Sequence, residues 1–207
     1  MNVNPNIPQL FRDIFKNAYL PYRDPETLKA FLKIIHEFNY DNSERLGDAF
    51  EYLLSVLGSQ GDAGQFRTPR HIIDFMVAIL DPRKDEVILD PACGTAGFLI
   101  SAYKHIVKLN SSNYDPETDV RTFEAKDQKL SELIINSKNY KGDKLTPDER
   151  NRLARNIMGS DISPDMVRLS LVNMYLHGLH SPKIHEYDTL TSEDNSNEYA
   201  DVILASP

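Results

Sequence analysis

A short apolar segment that ends in an aspartate and a glycine-rich turn constrains the fold of this chain more than any other feature. Residues 86–90 have the composition of a buried parallel strand, and residues 98–109 have the periodicity of a helix. The connection at 91–97 reads Pro-Ala-Cys-Gly-Thr-Ala-Gly. Ligands of open α/β sheets bind beyond the carboxyl ends of the strands, and glycines let the backbone turn tightly beside them. The segment therefore predicts a ligand site on a parallel α/β fold.

The rest of the second half alternates between the same two kinds of element. The predicted strands are 156–160, 184–187 and 201–204, and the predicted helices are 68–80, 129–137, 146–155 and 163–177. Thr68 and Pro69 are predicted as the N-cap and first residue of their helix. Strand–helix–strand alternation with right-handed crossovers predicts a parallel sheet.

The first 60 residues read as helices without a catalytic motif. In the third of these helices, Asp41 and Glu44 predict a capping box and Gly58 predicts the end. Its predicted apolar stripe is Leu46, Ala49, Phe50, Leu53, Leu54 and Leu57. Three glycines within 58–64 mark a flexible connection. We therefore predict two domains, a helical one at 1–60 and an α/β one at 61–207.

Composition narrows the class of protein further. The chain has 207 residues, a net charge of −8 and one cysteine, Cys93, which excludes an internal disulfide framework and a multi-cysteine zinc site. The acidic balance argues against a protein that wraps DNA without reading its sequence, because that needs clustered lysine and arginine. No apolar run approaches the ~20 residues of a membrane span, and the N-terminus lacks the pattern of a signal peptide. We expect a cytoplasmic protein with no membrane contact.

Two motifs in order carry a resemblance to a known family. Residues 64–69 read Gly-Gln-Phe-Arg-Thr-Pro, and residues 90–99 read Asp-Pro-Ala-Cys-Gly-Thr-Ala-Gly-Phe-Leu. Together with Gly-Ser-Asp-Ile-Ser-Pro at 159–164 and the segments at 173–178 and 187–190, they closely resemble the N-6 adenine DNA methyltransferases. The match is closest to the modification (M) subunits of type I restriction-modification systems, and it runs from about residue 46 to residue 207.

This resemblance implies a Rossmann-like methyltransferase fold behind a helical N-terminal domain, and S-adenosylmethionine (AdoMet) as the cofactor. It implies methylation of adenine N6 in DNA, with separate specificity (S) and restriction (R) subunits as partners. The implied cofactor-binding residues are Phe66 and Thr68 at the methionine end, Asp90, Pro91, Ala92, Gly94 and Gly97 in the turn, Asp161 for the ribose hydroxyls, Ile162 on the adenine ring and Asp188 for the adenine amino group.

Each of these residues also has a purely structural interpretation. Asp90 could be a loop carboxylate, Asp161 an anion at a helix N-terminus, Asp188 part of a plain turn and Thr68 only an N-cap. Cys93 is interpreted as a small packed residue rather than a nucleophile, because no base adjoins it in sequence. No metal site is predicted, although three histidines lie close together in sequence; they are His177, His180 and His185.

The family's catalytic element is Asn, Asp or Ser followed by Pro-Pro and an aromatic residue, after the fourth strand. Residues 201–207 reach Ser206 and Pro207, which the resemblance implies as catalytic, and the second proline and the aromatic residue do not follow. The chain by itself is therefore expected to be an inactive fragment of such an enzyme. Two alternatives stay open: an N4-cytosine or other amino-group methyltransferase, and a non-catalytic module for cofactor binding or assembly.

Overall fold

The structure is a computed structural model, and it describes residues 6–16, 18–19, 23–37, 43–60, 68–119, 140–191 and 199–206. In these ranges the helices are α1 (Gln9–Ile14), α2 (Pro25–Glu37), α3 (Ser43–Gln60), α4 (Arg70–Leu80), α5 (Gly97–Leu109), α6 (Pro116–Asp119), α7 (Pro147–Asn156) and α8 (Pro164–Leu176). The strands are β1 (Ile88–Asp90), β2 (Ile157–Asp161), β3 (Lys183–Glu186) and β4 (Val202–Ile203). No helix in the described ranges is both long and apolar enough to cross a bilayer.

The four strands form one parallel sheet in the order β3-β2-β1-β4, which confirms the predicted α/β class. Ile88 of β1 pairs with Ile157 of β2 on one side and with Val202 of β4 on the other. The chain thus builds outward from β1 to β3 and then returns to the opposite side of β1. Ligands of such sheets bind where the strand order reverses, beyond the carboxyl ends of the strands.

The core lies between the sheet and its helices. Helix α5 is buried around most of its circumference because it packs against α4 on one side and against β1 and β2 on the other. The largest side chains with under 2% exposure are mostly aliphatic: Ile88, Leu99, Ile100, Ile106, Leu153, Ile157, Met174, Leu179, Leu204 and Val77. Ile88, Ile157 and Leu204 come from segments predicted as strands, and most of the others come from the helices that cover the sheet.

Several predicted helix ends are confirmed by their hydrogen bonds. Thr146 and Glu149 form a reciprocal capping box at the start of α7, and Ser163 accepts from the Met166 N–H at the start of α8. After α8 the backbone of Gly178 has φ +91°, a left-handed conformation that favours glycine.

Two predictions about helix ends are wrong. Helix α3 continues past Gly58 to Gln60. At the start of α4, Pro69 occupies the N-cap position with no side-chain cap, so the helix begins at Arg70. The Thr68 hydroxyl makes no cap bond and instead donates to Ser206.

The apolar stripe predicted for α3 is only partly buried. Leu54 is 5% exposed, whereas Leu53 is 56% exposed and Ala49 also faces solvent. The main contacts of α3 and α1 are with α8, and Phe11 of α1 meets Tyr175 of α8 edge-to-face at 5.2 Å between ring centroids. A helix resting on one neighbour buries a narrower stripe than a helix inside a bundle.

Some predictions fall outside the described residues. They are the capping residue Asp41, most of the connection at 58–64, the helix at 129–137 and the site residues Phe66 and Pro207. The division at residue 60 therefore stays a prediction.

Candidate functional site

The connection between β1 and α5, residues 91–96, folds against the carboxyl end of β2. The Cys93 N–H donates to the Ser160 carbonyl at 2.8 Å, and the Ser160 hydroxyl donates to the Pro91 carbonyl at 3.1 Å. The Ala96 N–H then donates to the Cys93 carbonyl at 2.7 Å. These bonds hold the β1–α5 loop at the point where the strand order reverses, so the predicted ligand position has a defined backbone.

The backbone of the β1–α5 loop is left-handed at two residues. Gly94 has φ +54° and the fully buried Ala96 has φ +65°. A Cβ on Gly94 would meet no atom within 4 Å. The backbone of this residue therefore borders open space, which we call the open face of Gly94. A non-glycine residue held in this conformation stores strain, and such strain is concentrated at ligand sites. A ligand can therefore approach the backbone most closely at Gly94.

Gly97 lies at a close contact between two helices. A Cβ at this first residue of α5 would lie 3.3 Å from Cδ1 of Ile73 in α4. Its lack of a side chain therefore relieves crowding between two helices, and the close approach of a ligand there stays a prediction.

Asp90 ends β1 with a buried carboxyl group that is 1% exposed. Burial raises its pKa to about 7, the Ala92 N–H that donates to Oδ1 at 3.1 Å opposes this shift, and the nearby Asp161 adds to it. Within the part of the chain that the structure describes, no cationic side chain pairs with Asp90. A buried carboxyl group with a strongly raised pKa is typical of functional sites. A cationic ligand would favour its ionised form.

The raised pKa of Asp90 predicts a specific dependence of stability on pH. A carboxyl whose folded pKa of about 7 exceeds its ordinary 3.8 binds a proton on folding between these values. Its contribution to stability is therefore complete below about pH 4 and is lost as the pH rises through 7. We expect Asp90→Asn to be more stable than the wild type at pH 8, with a difference that shrinks toward pH 4. Urea unfolding at pH 4.5, 6 and 8 measures this, and a difference that does not change with pH would contradict it.

Asp161 ends β2 and links three loops at this edge of the sheet. Its Oδ2 accepts from the Gly94 N–H at 3.0 Å, and its Oδ1 accepts from the Ser163 N–H at 2.8 Å. The backbone carbonyl of Asp161 accepts from the Tyr187 N–H at 3.1 Å. Each carboxylate oxygen can accept a second hydrogen bond. Asp161 therefore does stabilise the local backbone, as its structural interpretation expects. Its carboxylate oxygens can still accept hydrogen bonds from a ligand beside the open face of Gly94.

The next residue, Ile162, is 67% exposed although it is apolar. It directly follows the strand end and lies next to Asp161 in sequence. An exposed aliphatic side chain at this place is compatible with packing on a flat ring, which stays a prediction.

Asp188 follows β3 and stabilises a turn. Its Oδ1 accepts from the Leu190 N–H at 3.0 Å, and its carbonyl accepts from the Thr191 hydroxyl at 2.8 Å. Such side-chain-to-backbone bonds are common where aspartate forms a turn. The structure therefore supports the turn interpretation, while a bond from Asp188 to an adenine amino group stays a prediction.

Ser206 follows β4, so each of the four strands ends in, or is followed by, a polar residue of the predicted site at the same edge of the sheet. The hydroxyls of Ser206 and Thr68 lie 2.9 Å apart and are hydrogen-bonded, although 138 residues separate them in sequence. The structure thus brings together two residues that the resemblance assigned to different parts of the site, one to the cofactor and one to catalysis.

Two supporting residues were missed by the sequence analysis. Asn173 of α8 donates to the Thr95 carbonyl at 2.9 Å and thereby holds the β1–α5 loop from the side. Arg70 donates to the Gly97 carbonyl at 3.2 Å and pairs with Glu51 of α3. Asn173 could have been found from the sequence, because a side-chain amide on the buried side of a predicted helix indicates a hydrogen-bonded role. Arg70 gave no local signal, because its partners are distant in sequence.

Cys93 is buried and packs against the β2 backbone. A Cβ on Gly159 would lie 3.1 Å from the Cβ of Cys93, and burial raises the thiol pKa far above its ordinary value. A thiol that stays protonated is a poor nucleophile, so the structure supports its interpretation as a packed residue.

A second polar cluster joins α3 to α8. The ligand atoms of Asp48, Glu51 and His177 all lie within 4.8 Å of one another. Asp48 is paired with Lys104 at 2.7 Å, Glu51 is paired with an arginine, and burial lowers the pKa of His177 to about 3. The cations neutralise both carboxylates, so the cluster serves packing of the two helices.

The parallel sheet, with a β1–α5 loop that is left-handed at Gly94 and Ala96 and acidic residues at its carboxyl edge, defines a Rossmann-like domain. Residues 41–207 match the family model described as N-6 DNA Methylase. Because this match spans most of the chain, the chain belongs to the N-6 DNA methylase family, and the family predicted from the motifs is confirmed.

Relatives with known descriptions agree with this assignment. The methylase subunit of the type I restriction enzyme EcoEI from Escherichia coli is 30% identical over 201 residues, which are 95% of this chain and 34% of that protein. A structure assigned to the modification subunit of a type I restriction enzyme from Vibrio vulnificus YJ016 has a TM-score of 0.66 and 26% identity, and covers 95% of this chain and 35% of that one. A structure from work on complex assembly in a type I system has a TM-score of 0.63 and 28% identity, and covers 94% and 34%. The chain spans about a third of the length of these relatives.

Proposed function

We propose that this chain forms the cofactor-binding part of a type I restriction-modification methyltransferase subunit that methylates adenine N6 in DNA. The observation that carries the proposal is the buried Asp90 with its raised pKa, next to the open face of Gly94 and the acceptor Asp161. Asp90 has no cationic side chain beside it among the described residues. In a chain of the N-6 DNA methylase family, a cationic cofactor supplies the positive charge that balances this buried carboxyl.

The residues of this site fit S-adenosylmethionine. When bound, S-adenosylmethionine supplies a methyl group on a cationic sulfur, which takes the electron pair of the carbon–sulfur bond as the methyl group leaves. Asp90 offers negative charge to the cationic methionine end, and the backbone at Pro91, Ala92 and Gly94 lines that end. Thr68, with Phe66 just before it in sequence, closes the methionine end from the side of α4.

The remaining parts of the cofactor fall to the next two strand ends. Asp161 accepts hydrogen bonds from the ribose hydroxyls through its spare lone pairs, and Ile162 packs on the adenine ring. Asp188 accepts from the adenine amino group. Gly97, at the start of α5, completes the β1–α5 loop against α4.

Ser206 and Pro207 begin the element that prepares the target amine. The lone pair of an exocyclic amine is delocalised into the base. A side-chain oxygen at Ser206 and a backbone carbonyl beside Pro207 accept the amine hydrogens, localise the lone pair on nitrogen and direct it at the methyl carbon. The target base reaches such a site only after it has been flipped out of the duplex.

The proposed partners follow from the same assignment. DNA is the substrate, an S subunit reads its sequence and an R subunit completes the complex in the cytoplasm. A net charge of −8 suits a subunit that leaves sequence-reading contacts to another chain.

The test of this function is cofactor binding by the chain itself. Titration calorimetry with S-adenosylmethionine or S-adenosylhomocysteine is expected to show one saturable site with a dissociation constant below about 1 mM, or about −4 kcal/mol. Methionine alone and adenosine alone, each lacking part of the cofactor, are the matched control ligands and should bind more weakly. The absence of both heat and a thermal shift at millimolar cofactor would contradict the proposal.

Methylation of cytosine N4 is a second candidate because Ser206 stands where the first residue of the catalytic element is expected. Serine at this position also occurs in N4-cytosine enzymes of the wider family. Nucleoside analysis of DNA methylated by the complete enzyme distinguishes the two: N6-methyladenine supports the proposal, and N4-methylcytosine supports this alternative.

A further inference from the structure

The contact between Thr68 and Ser206 joins the start of α4 to the end of β4. The Thr68 hydroxyl donates to the Ser206 oxygen at 2.9 Å, within the range of a good O–H···O hydrogen bond. Thr68 precedes α4 in the chain, whereas Ser206 follows the strand that returns beside β1. The contact therefore exists only when the sheet order is correct.

Both hydroxyls are held by rigid neighbours. Two residues after Thr68, the guanidinium of Arg70 donates to the Gly97 carbonyl at 3.2 Å and also forms its ion pair on α3. Two residues before Ser206, the Leu204 N–H donates to the Leu89 carbonyl at 2.9 Å, and the Leu204 side chain is 1% exposed. Because the backbone is anchored near both residues, few side-chain rotamers are needed to bring the two oxygens together.

The contact with Thr68 affects which hydrogen bonds the Ser206 hydroxyl can form. Serine carries one hydrogen and two acceptor lone pairs, and the hydrogen rotates to suit its surroundings. If that hydrogen points at the target amine, it bonds to the nitrogen lone pair that must attack the methyl carbon. If a neighbour accepts the hydrogen, both lone pairs of the serine oxygen are free to accept from the amine. An asparagine needs no such neighbour, because its carbonyl oxygen only accepts.

We propose that Thr68 is a positioning residue that accepts the Ser206 hydrogen and thereby turns Ser206 into an acceptor for the target amine. This inference rests on the proposed function and deepens it. In the structure the Thr68 hydroxyl is the donor, but each hydroxyl can donate or accept at 2.9 Å, so the bond can reverse when Ser206 meets the amine. With the amine in place, the bond runs from Ser206 to Thr68, because the reverse direction leaves the serine hydrogen free to bind the nucleophilic lone pair.

The experiment is a double-mutant cycle in the complete methyltransferase with its specificity subunit. The variants are Thr68→Val, which removes the hydroxyl at nearly constant shape, Ser206→Asn, and the two combined. Transfer of a labelled methyl group to unmethylated DNA is measured at saturating S-adenosylmethionine, so that kcat is separated from any change in KM for the cofactor. Thr68→Val is expected to lower kcat about tenfold, in line with the loss of one orienting hydrogen bond.

The decisive comparison is the same substitution in the Ser206→Asn background. There Thr68→Val is expected to change kcat by less than about twofold, because the asparagine carbonyl needs no orientation. Thr68→Ser, which keeps a hydroxyl, is the matched control and should recover most of the lost rate. A tenfold loss that persists in the Ser206→Asn background, or no loss in either background, overturns the positioning role.

Failure of the proposed function gives a different result. A wild-type complex that transfers no methyl group to DNA overturns the function, and the inference about Thr68 falls with it. A wild-type complex that is active, with equal kcat for Thr68→Val and Thr68→Ser, overturns the inference alone.

Discussion

Replacing Asp161 by alanine is expected to weaken binding of S-adenosylmethionine about 10- to 150-fold, or roughly 1.5–3 kcal/mol. The change removes the proposed acceptor of the ribose hydroxyls. It also leaves the N–H groups of Gly94 and Ser163 without the oxygens that accept from them at 3.0 and 2.8 Å. The loop that bears the open face of Gly94 then loses its tie to the end of β2. Titration calorimetry on the folded variant measures the effect.

Two further variants separate the ribose role from the helix-terminus role. Asp165→Ala removes another carboxylate from the first turn of α8, and its side chain is 71% exposed and paired with Arg168. We expect this control to leave the affinity for cofactor unchanged within about twofold. Asp161→Asn keeps one acceptor oxygen and should lie between alanine and the wild type. If Asp161→Ala folds and binds as tightly as the wild type, the ribose role is wrong and the helix-terminus interpretation holds.

Replacing Gly159 by valine is expected to destabilise the fold by overpacking the contact between β2 and α5. A Cβ at Gly159 would lie 2.9 Å from Cδ1 of Leu99, and 3.1 Å from both the Cβ of Cys93 and Cδ1 of Ile184. A valine adds two more methyl groups to this crowded place. Overpacking of this kind costs about 1–3 kcal/mol, and pressure on the Cβ of Cys93 displaces the β1–α5 loop as well. Urea unfolding should therefore show a lower midpoint, and cofactor binding should fall in parallel.

Gly94→Ala is the matched comparison, because it tests backbone strain without crowding. Its Cβ would meet nothing within 4 Å, but φ at Gly94 is +54°. The expected loss of stability is the cost of holding an alanine in the left-handed backbone conformation, about 1–2 kcal/mol. A Gly159→Val variant at least as stable as Gly94→Ala would mean that the contact between β2 and α5 is looser than these distances indicate.

Whether a segment forms a helix or a strand was predictable, because that choice depends mainly on neighbours in sequence. The apolar run before Asp90 and the helix starts at Thr146 and Ser163 are local patterns, and all three have the expected structure. Local patterns misled at two helix ends, because α3 continues past Gly58 and α4 has no side-chain cap. Thr68 has the composition of a cap, yet its hydroxyl contacts Ser206.

Much of the candidate site was also predictable from the sequence, because aspartates that follow parallel strands must meet at one edge of the sheet. Asp90 and Asp161 end β1 and β2, and Asp188 follows β3, as the motifs implied. What each carboxylate contacts was not predictable. Asp161 reaches the backbone of Gly94 across 67 residues of sequence, whereas Asp188 caps its own turn.

The sequence by itself determined the parallel α/β class and the family, since strand, turn and motif signals are all carried by short segments. Only the tertiary structure decided the strand order β3-β2-β1-β4 and with it the meeting of Thr68 with Ser206. It also decided the pKa of Asp90, because burial from every side sets the cost of its charge. These properties depend on which distant segments become neighbours, and the free energy of that choice is spread over the whole core.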